Sequence, residues 1–463
     1  MKNKTSLLLV VSGSTFVLLA LFADSIGLGK KGGVPALQIL AAEAGASFLL
    51  MGVFLFIRSR RGASLPNPFR RFWDSLFAQP SLTWVVSGFI FAYLLFFIFP
   101  TFLNAQAQFQ YPSGFFPERE HIGFDIRLTL EHIRVWFTGE REPKYIFPPL
   151  TTILFAPLLL LRYPANFHVV TAFTLAGYFF LNLLFPLWIL GGKRRALVFF
   201  AFAVSLFSYG LQFELETGQF YTVSMALAAA AIYIFHKRPS YRIFSYLLFS
   251  VSIQMKIVPA LLVVMFVDDW RDWKGIFKRF AALGVFNFAL LFLLGTSYFS
   301  LFISHLWDSA ATHELEFNHS IYAFAANLTH SARWVEVLLY AGFFACFLTV
   351  LAAAYRRNEG GFNASLFMVC VIGALLLPAI SHDYKLTMLT APFTLFMAAY
   401  EARDSLWARA ASILTLTAAA FAYSATLFPS SARQGMENAL PFLYVILISA
   451  SLLELIRKKN ASL

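Results

Sequence analysis

One carboxylate, Asp125, sits in the phrase Phe124-Asp125-Ile126-Arg127 within the longest polar connector of an otherwise apolar chain. That connector runs from about Asn104 to Ile146 and carries eight acidic and basic residues between His121 and Lys144. It returns to apolar sequence through Ile146-Phe147-Pro148-Pro149-Leu150. An acid in this setting has two readings. It can act as a general base, because connectors this long are usually functional or disordered. It can equally cap an interfacial helix, because Ile126, Leu130, Ile133 and Phe137 fall on one helical stripe behind it. Lys256 is the second residue with chemical potential: it lies mid-run in the apolar stretch Ile243 to Phe266 and is followed by Pro259. A charge at bilayer depth is costly unless paired or hydrated, so this lysine reads as a site residue, against the plainer alternative of a side chain that snorkels to an interface. His382 in Ser381-His382-Asp383-Tyr384-Lys385, the pair Gly218-Gln219, and Asn318-His319-Ser320 place further polar groups between apolar runs. Taken singly, each also reads as an ordinary turn or as interhelical glue.

Metal chemistry is not indicated. His121, His132, His313 and His319 lack a carboxylate or histidine partner at ligand spacing, and no cofactor is implied. Cys346 and Cys370 both lie inside apolar runs, which reads as packing rather than as a disulfide framework.

The elements that must position these residues follow from composition. With 59% hydrophobic, 18% aromatic and only 13% charged residues over 463 positions, the chain cannot wrap a soluble core in a polar surface. Apolar stretches long enough for a hydrocarbon layer roughly 30 Å thick recur throughout, so the expected class is an all-α polytopic membrane protein. Lys2-Asn3-Lys4 with the run Leu7 to Phe22 reads as a retained first helix rather than a cleaved signal. The net charge of +12 is concentrated in short connectors, where it marks the cytoplasmic side, so nucleic-acid binding is not needed to explain it.

Those connectors set the expected topology. Arg58 to Arg61 with Arg70-Arg71, Lys193 to Arg195, His236 to Arg238, Arg271 to Arg279, Arg356-Arg357 and Arg457 to Lys459 are expected inside. Spans near 438–456, 407–427, 386–400, 363–380, 333–355 and 279–299 then alternate, placing Ser381 to Lys385 and Ile303 to Ser320 outside. A hairpin near 196–236 puts Glu214 to Gln219 outside, and the span near 82–103 delivers the Asp125 connector to the same face. Parity fails at Ile243 to Phe266, which is basic at both ends yet too short for two crossings. A re-entrant pair of half-helices with Lys256 at or near the turn resolves it, provided that the turn is buried in protein or lines a wet cavity. The segment Phe147 to Leu190 divides into two apolar runs at Arg162-Tyr163-Pro164, and periodicity does not say which is the shorter helix.

The order of these signals carries more than any one of them. Phe124-Asp125, then Gly139 to Tyr145 with Pro148-Pro149-Leu150 and Ala156-Pro157-Leu158, then Gly218-Gln219, Lys256-Ile257-Val258-Pro259, Asn318-His319-Ser320, and His382 ahead of Leu386 to Pro392: this series resembles glycosyltransferase family 87. The resemblance covers about residues 82 to 400 and implies a GT-C fold with about 12 to 14 transmembrane or re-entrant helices and an interfacial helix in the outer loop 104–146. It divides the chain into two accessory helices at 1–60, a catalytic membrane core at 82–400 and C-terminal helices at 401–463. The sequence departs from the family pattern at Ile126-Arg127-Leu128, where an aromatic residue is usual, at Phe147-Pro148-Pro149 for Tyr-Pro-Pro, and at His319 where glutamine is common.

What the resemblance implies is transfer of a sugar, mannose first, from a polyprenyl-phosphate-linked donor to a hydroxyl of a lipid or glycan acceptor. Asp125 is then the base; Lys256 and His382, with Arg127 as helper, meet the donor phosphate; Gln219, Asn318, His319 and Ser320 meet sugar or acceptor hydroxyls. With one base the reaction inverts, whereas a covalent intermediate needs a second close carboxylate, for which Glu131, Glu214 and Glu216 are candidates. The expected location is the plasma membrane of a bacterium, with the site on the non-cytoplasmic face and membrane lipids around it. Three rival readings remain: a transporter or lipid flippase, whose broken helices also make midplane sites; an enzyme of the same fold using another sugar such as arabinofuranose; and an assembly partner with a degenerate site.

Overall fold

The computed structural model describes residues 11, 14, 15, 122–140, 147–206, 209–311, 318–329, 333–358, 360–399 and 440–456. Contacts divide the chain into two compact units, Met1–Pro112 with Leu416–Glu437 and Ser113–Thr415 with Asn438–Leu463. Apart from residues 11, 14 and 15, the helices expected before residue 60 lie outside the described residues, as do the spans near 82–103 and 407–427, and the architecture described is that of the second unit.

Helix α1, Phe124–Thr138, starts and stops at glycine. Gly123 and Gly139 both adopt the left-handed conformation at φ 67, and the Gly139 N–H closes the helix on the Val135 carbonyl at 2.9 Å. Ile126, Leu130 and Ile133 turn inward onto Phe155, Val170, Phe220 and Met255, while Phe137 at the far end of the stripe is exposed. After the connector, α2 (Pro149–Phe155) opens with proline in its first turn and tightens into a 3-10 turn through Leu160. Helix α3 then runs as a single element over Ala165–Ile189, with one π turn at Phe180–Leu184. The question left open for Phe147 to Leu190 is thereby answered: the first helix is the short one.

The expected hairpin near 196–236 is more broken than its hydropathy suggests. Helices α4 (Arg195–Ser205) and α5 (Tyr209–Thr217) precede the long α6 (Tyr221–Lys237). Helix α7, Arg242–Met255, packs along α6 through small residues. Ser224 and Ser252 each donate a hydroxyl to the other's carbonyl, at 2.9 and 2.8 Å, and Ala228, Ala229 and Ala231 on α6 are fully buried. Small residues let two helix backbones approach this closely, and the serine pair satisfies its own polar groups inside an apolar scaffold.

At Lys256 the helix stops and the backbone extends, φ −150 and ψ 130. A 3-10 stretch, Val258–Met265, with Pro259 in its first turn, carries the chain back toward where α7 began. The Phe266 ring packs at a tilt against Phe235 and Phe249, with centroids 5.2 and 4.5 Å away, and Asp268 forms an ion pair with Arg242 at 2.6 Å. The segment therefore folds back on itself with Lys256 at the break. Arg279 closes the same bracket on Asp268 at 2.6 Å. Burial alone would raise the Asp268 carboxyl, but the hydrogen bonds and charges of Arg279 and Arg242 outweigh it and hold that group below its ordinary value.

Two expectations need correction. The span near 279–299 is not straight: α8 (Trp273–Leu290) and α9 (Gly295–Ala311) meet at 105°. Successive i→i−3 turns from Leu291 to Leu293 tighten the chain, and Gly295 at φ 88 redirects it. The stretch expected to begin an outer connector at Ile303 is helical through Ala311. Beyond it come α10 (Ile321–Thr329), α11 (Arg333–Arg357), the wholly buried α12 (Ala364–Leu376), a 3-10 stretch at Asp383–Leu389, α13 (Thr390–Ala399) and α14 (Leu440–Ile456). Helix α12 reads as hydrophobic on every side because other helices surround it.

Among the described residues two helices, Ala165–Ile189 and Arg333–Arg357, are long and apolar enough to cross a membrane, and the bent pair would make a third. Shorter apolar helices accompany them at Pro149–Leu160, Ala364–Leu376 and Leu443–Leu455. Among the described residues the molecule is helical, with one isolated backbone bridge, Asn318 to His382, and the apolar helices make it a membrane protein.

Candidate active site

Lys256 is the centre around which the polar residues gather. It is 7% exposed, and its position at the end of α7 turns Nζ toward the start of α6. There Nζ donates to Gln219 Oε1 at 3.2 Å and stands over three rings: Tyr221 at 4.2 Å, Phe220 at 4.3 Å and Phe147 at 4.7 Å from their centroids. Ring faces attract a desolvated ammonium, each such contact contributing up to about 2 kcal/mol. An ammonium carries three donors, and a single oxygen partner among the described residues leaves it able to bind an anion.

The turn that supplies Gln219 is fixed from several sides. Gly218 adopts φ 75, and a side chain there would meet Ile126 Cγ2 at 2.7 Å, so the first turn of α1 lies directly on this turn. Gly123 N donates to Glu216 O at 2.6 Å, and Thr174 Oγ1 donates to Gln219 O at 3.1 Å. These contacts bring Asp125 to the site. It is half-buried in the first turn of α1; Gly123 is the capping position and has no side-chain cap, so the capping alternative for Asp125 does not hold. Among the described residues the charges of Asp125 and Glu214 bear on the Lys256 ammonium, and the same two bear on Tyr221. Arg127, two residues further along α1, is exposed and lies over the Tyr163 ring at 5.3 Å.

Asn318 and His382, far apart in sequence, are joined directly. Asn318 Oδ1 accepts from Ser320 N at 3.0 Å and Ser381 N at 2.9 Å, and Asn318 Nδ2 donates to Ala379 O at 2.9 Å. His319 N donates to Ser381 O at 2.7 Å, and Ser320 Oγ donates to Ala379 O at 2.9 Å. The side chains of Asn318 and Ser320 thus tie two loops together, with the buried His319 on one and the half-buried His382 on the other. Tyr384 connects this pair of loops to Lys256: its ring centroid lies 5.7 Å from His382 and 5.3 Å from Tyr221.

Several participants went unnoticed as site residues in the sequence. Tyr221 and Tyr384 line the path from lysine to histidine, and Lys385, one residue beyond Tyr384, stands 5.0 Å from the Tyr221 centroid. The run Gly218 to Tyr221 and the pair Tyr384-Lys385 adjoin the residues singled out there, so proximity was the available signal. Of the three candidate second carboxylates, Glu131 is engaged on the surface with Arg134 at 2.9 Å, whereas Glu214 is fully buried. Thr222 N and Thr387 Oγ1 hold the Glu214 carboxylate at 2.7 and 3.0 Å, and the Thr222 hydroxyl donates to it as well. A cavity of about 300 Å³ is walled by Pro148, Ile253, Gln254, Ile257, Asn287 and Phe288, which include chain neighbours of Phe147 and Lys256. Among the described residues no three His, Cys, Asp or Glu side chains come together as metal ligands.

A half-buried carboxylate whose charge bears on a buried cation, on an apolar helical scaffold, suits a membrane protein that moves a proton and handles an anion at the same place. The model of glycosyltransferase family 87 matches residues 145–379, just over half of the chain, and the chain belongs to that family. It is a glycosyltransferase with a donor and an acceptor as substrates. The match includes Gln219, Lys256 and Asn318 to Ser320, while Asp125 precedes it and His382 follows it. A comparison with curated proteins found no match.

Proposed function

We propose that the protein is a polytopic GT-C hexosyltransferase that moves mannose from a polyprenyl-phosphate-linked donor to a hydroxyl of a lipid or glycan acceptor, at the non-cytoplasmic face of the bacterial plasma membrane. The observation that carries this reading is the Lys256 ammonium, buried at a helix break against aromatic rings and within reach of the Asp125 charge. In the reaction Asp125 takes the proton of the acceptor hydroxyl as its oxygen attacks the anomeric carbon. The bond from that carbon to the phosphate oxygen breaks, and its electron pair leaves with the phosphate. Lys256, with His382 across Tyr384, offsets the charge that grows there, and the configuration inverts.

The remaining residues take supporting parts. Gln219 and His319 meet sugar hydroxyls, while Asn318 and Ser320, bonded to the Ala379 carbonyl, hold the loops that present the two histidines. Arg127 contributes least, since its guanidinium is exposed over Tyr163. The apolar cavity walled by Gln254 and Ile257, two chain neighbours of Lys256, takes isoprene units of the donor, because a prenyl chain attached to a phosphate must leave along an apolar wall.

Asp125→Asn tests the reading. The amide is nearly isosteric and cannot accept the proton, so transfer of radiolabelled mannose is expected to fall by about 10² to 10⁴ while donor binding persists. Normal turnover by this variant would end the proposed mechanism.

A further inference from the structure

Lys385 is a second buried ammonium at the site, and the sequence reading gave it no role. It lies in the 3-10 stretch Asp383–Leu389, is 2% exposed, and its backbone N–H donates to the His382 carbonyl at 3.0 Å. Its side chain turns inward: Nζ donates to the Ile380 carbonyl and stands 5.0 Å from the centroid of the Tyr221 ring. Lys256 stands 4.2 Å from the centroid of that same ring. The charge that bears on Lys385 is that of Lys256, a like charge, and no ion pair of Lys385 with a carboxylate occurs among the described residues. The buried acid Glu214 is hydrogen-bonded by Thr222 and by Thr387, two residues beyond Lys385.

Burying two ammonium groups against one ring is unfavourable on its own, because each loses hydration and they repel. An anion shared between them supplies an attraction to each that offsets both costs. We propose that Lys385 is the second cation of the phosphate site, completing with Lys256 a seat for the phosphate monoester that leaves. This inference rests on the polyprenyl-phosphate reading above. The donor is a phosphodiester with one negative charge; breaking its bond to the anomeric carbon gives a monoester that approaches two. A single ammonium suits the first state, and a pair suits the second. Lys385 therefore strengthens its interaction as the bond breaks, which lowers the barrier rather than only tightening the donor.

The experiment measures binding to the purified full chain of two probes with the same short prenyl group: a prenyl phosphate monoester and the corresponding prenyl phosphoryl-mannose diester. Lys385→Gln is expected to weaken the monoester about tenfold or more, with a much smaller change for the diester. It should also lower kcat with little change in donor KM, and Lys385→Arg should restore part of both. Equal weakening of the two probes, or no change in either, overturns the inference, because a lysine that only braces the Ile380 carbonyl has no means of distinguishing them. Thermal melting of each variant shows whether equal weakening comes from misfolding, in which case Lys385→Arg decides by the same ratio. A wild-type chain that binds neither probe overturns the donor reading itself, whereas discrimination by the wild type that survives in both variants overturns only the part given to Lys385.

Discussion

At the scale of single residues, two charges of opposite sign divide the work. In the proposed reaction Lys256 interacts with a phosphate that is charged before the bond breaks, so its contribution is present in the ground state as well as in the transition state. Lys256→Met is expected to weaken donor binding by roughly tenfold to a hundredfold, the range for a hydrogen bond to a charged group. Its effect on stability should be smaller. Replacing a buried ammonium by an apolar side chain of similar length removes a desolvation cost that offsets the lost ring contacts and Gln219 hydrogen bond, so thermal melting should change little. A titration with a prenyl phosphate monoester and a melting curve on the same sample separate these outcomes. Loss of melting temperature together with unchanged binding would remove Lys256 from the site.

At the scale of elements, the position of Asp125 depends on the contact of α1 with the Gly218 turn rather than on anything within α1. Gly218 at φ 75 and Gly139 at φ 67 carry similar left-handed strain, but only Gly218 has a neighbour in the way, Ile126 Cγ2 at 2.7 Å from an added Cβ. The pair makes a matched control. Both Gly218→Ala and Gly139→Ala should cost about 1 to 2 kcal/mol from backbone conformation. Gly218→Ala should in addition displace the first turn of α1 and reduce transfer activity, which Gly139→Ala should leave near the wild-type rate. Equal activities in the two variants would show that the packing of α1 on this turn does not position the carboxylate.

For the molecule as a whole, the last described helix is held to the scaffold by a buried ion pair. Arg357 at the end of α11 pairs with Glu454 on α14, and Ser365 Oγ at the start of α12 donates to the same glutamate at 2.7 Å. Arg357 is 8% exposed on its side chain and Glu454 is fully buried. Removing one partner strands the other charge away from water, which costs about 3 to 5 kcal/mol. Arg357→Ala should therefore lower the melting temperature sharply, and Arg357→Ala combined with Glu454→Gln should recover part of it. Donor affinity measured on the protein that remains folded should be unchanged, since Lys256, Tyr221 and Gln219 lie in other elements.

Composition, hydropathy and charge were enough to determine the membrane class, the break at Lys256 and the order of polar segments, because each of these is a local property of the chain. A proline three residues after a mid-run lysine, with basic residues at both ends of the run, allows few backbone solutions other than a fold-back. The sequence was also sufficient to single out Asp125, although its first-turn position was settled only by Gly123 occupying the cap. Tertiary structure decided the rest. The 105° bend between α8 and α9 sits in a continuous apolar run, and hydropathy carries no signal where both halves are equally apolar. Tyr221, Tyr384 and Lys385 became site residues by contact across long sequence separations, as did the joining of Asn318 to the loop before His382. Periodicity reports which face of a helix is apolar; which two polar faces then meet is set by how the helices pack, and that is a property of the whole fold.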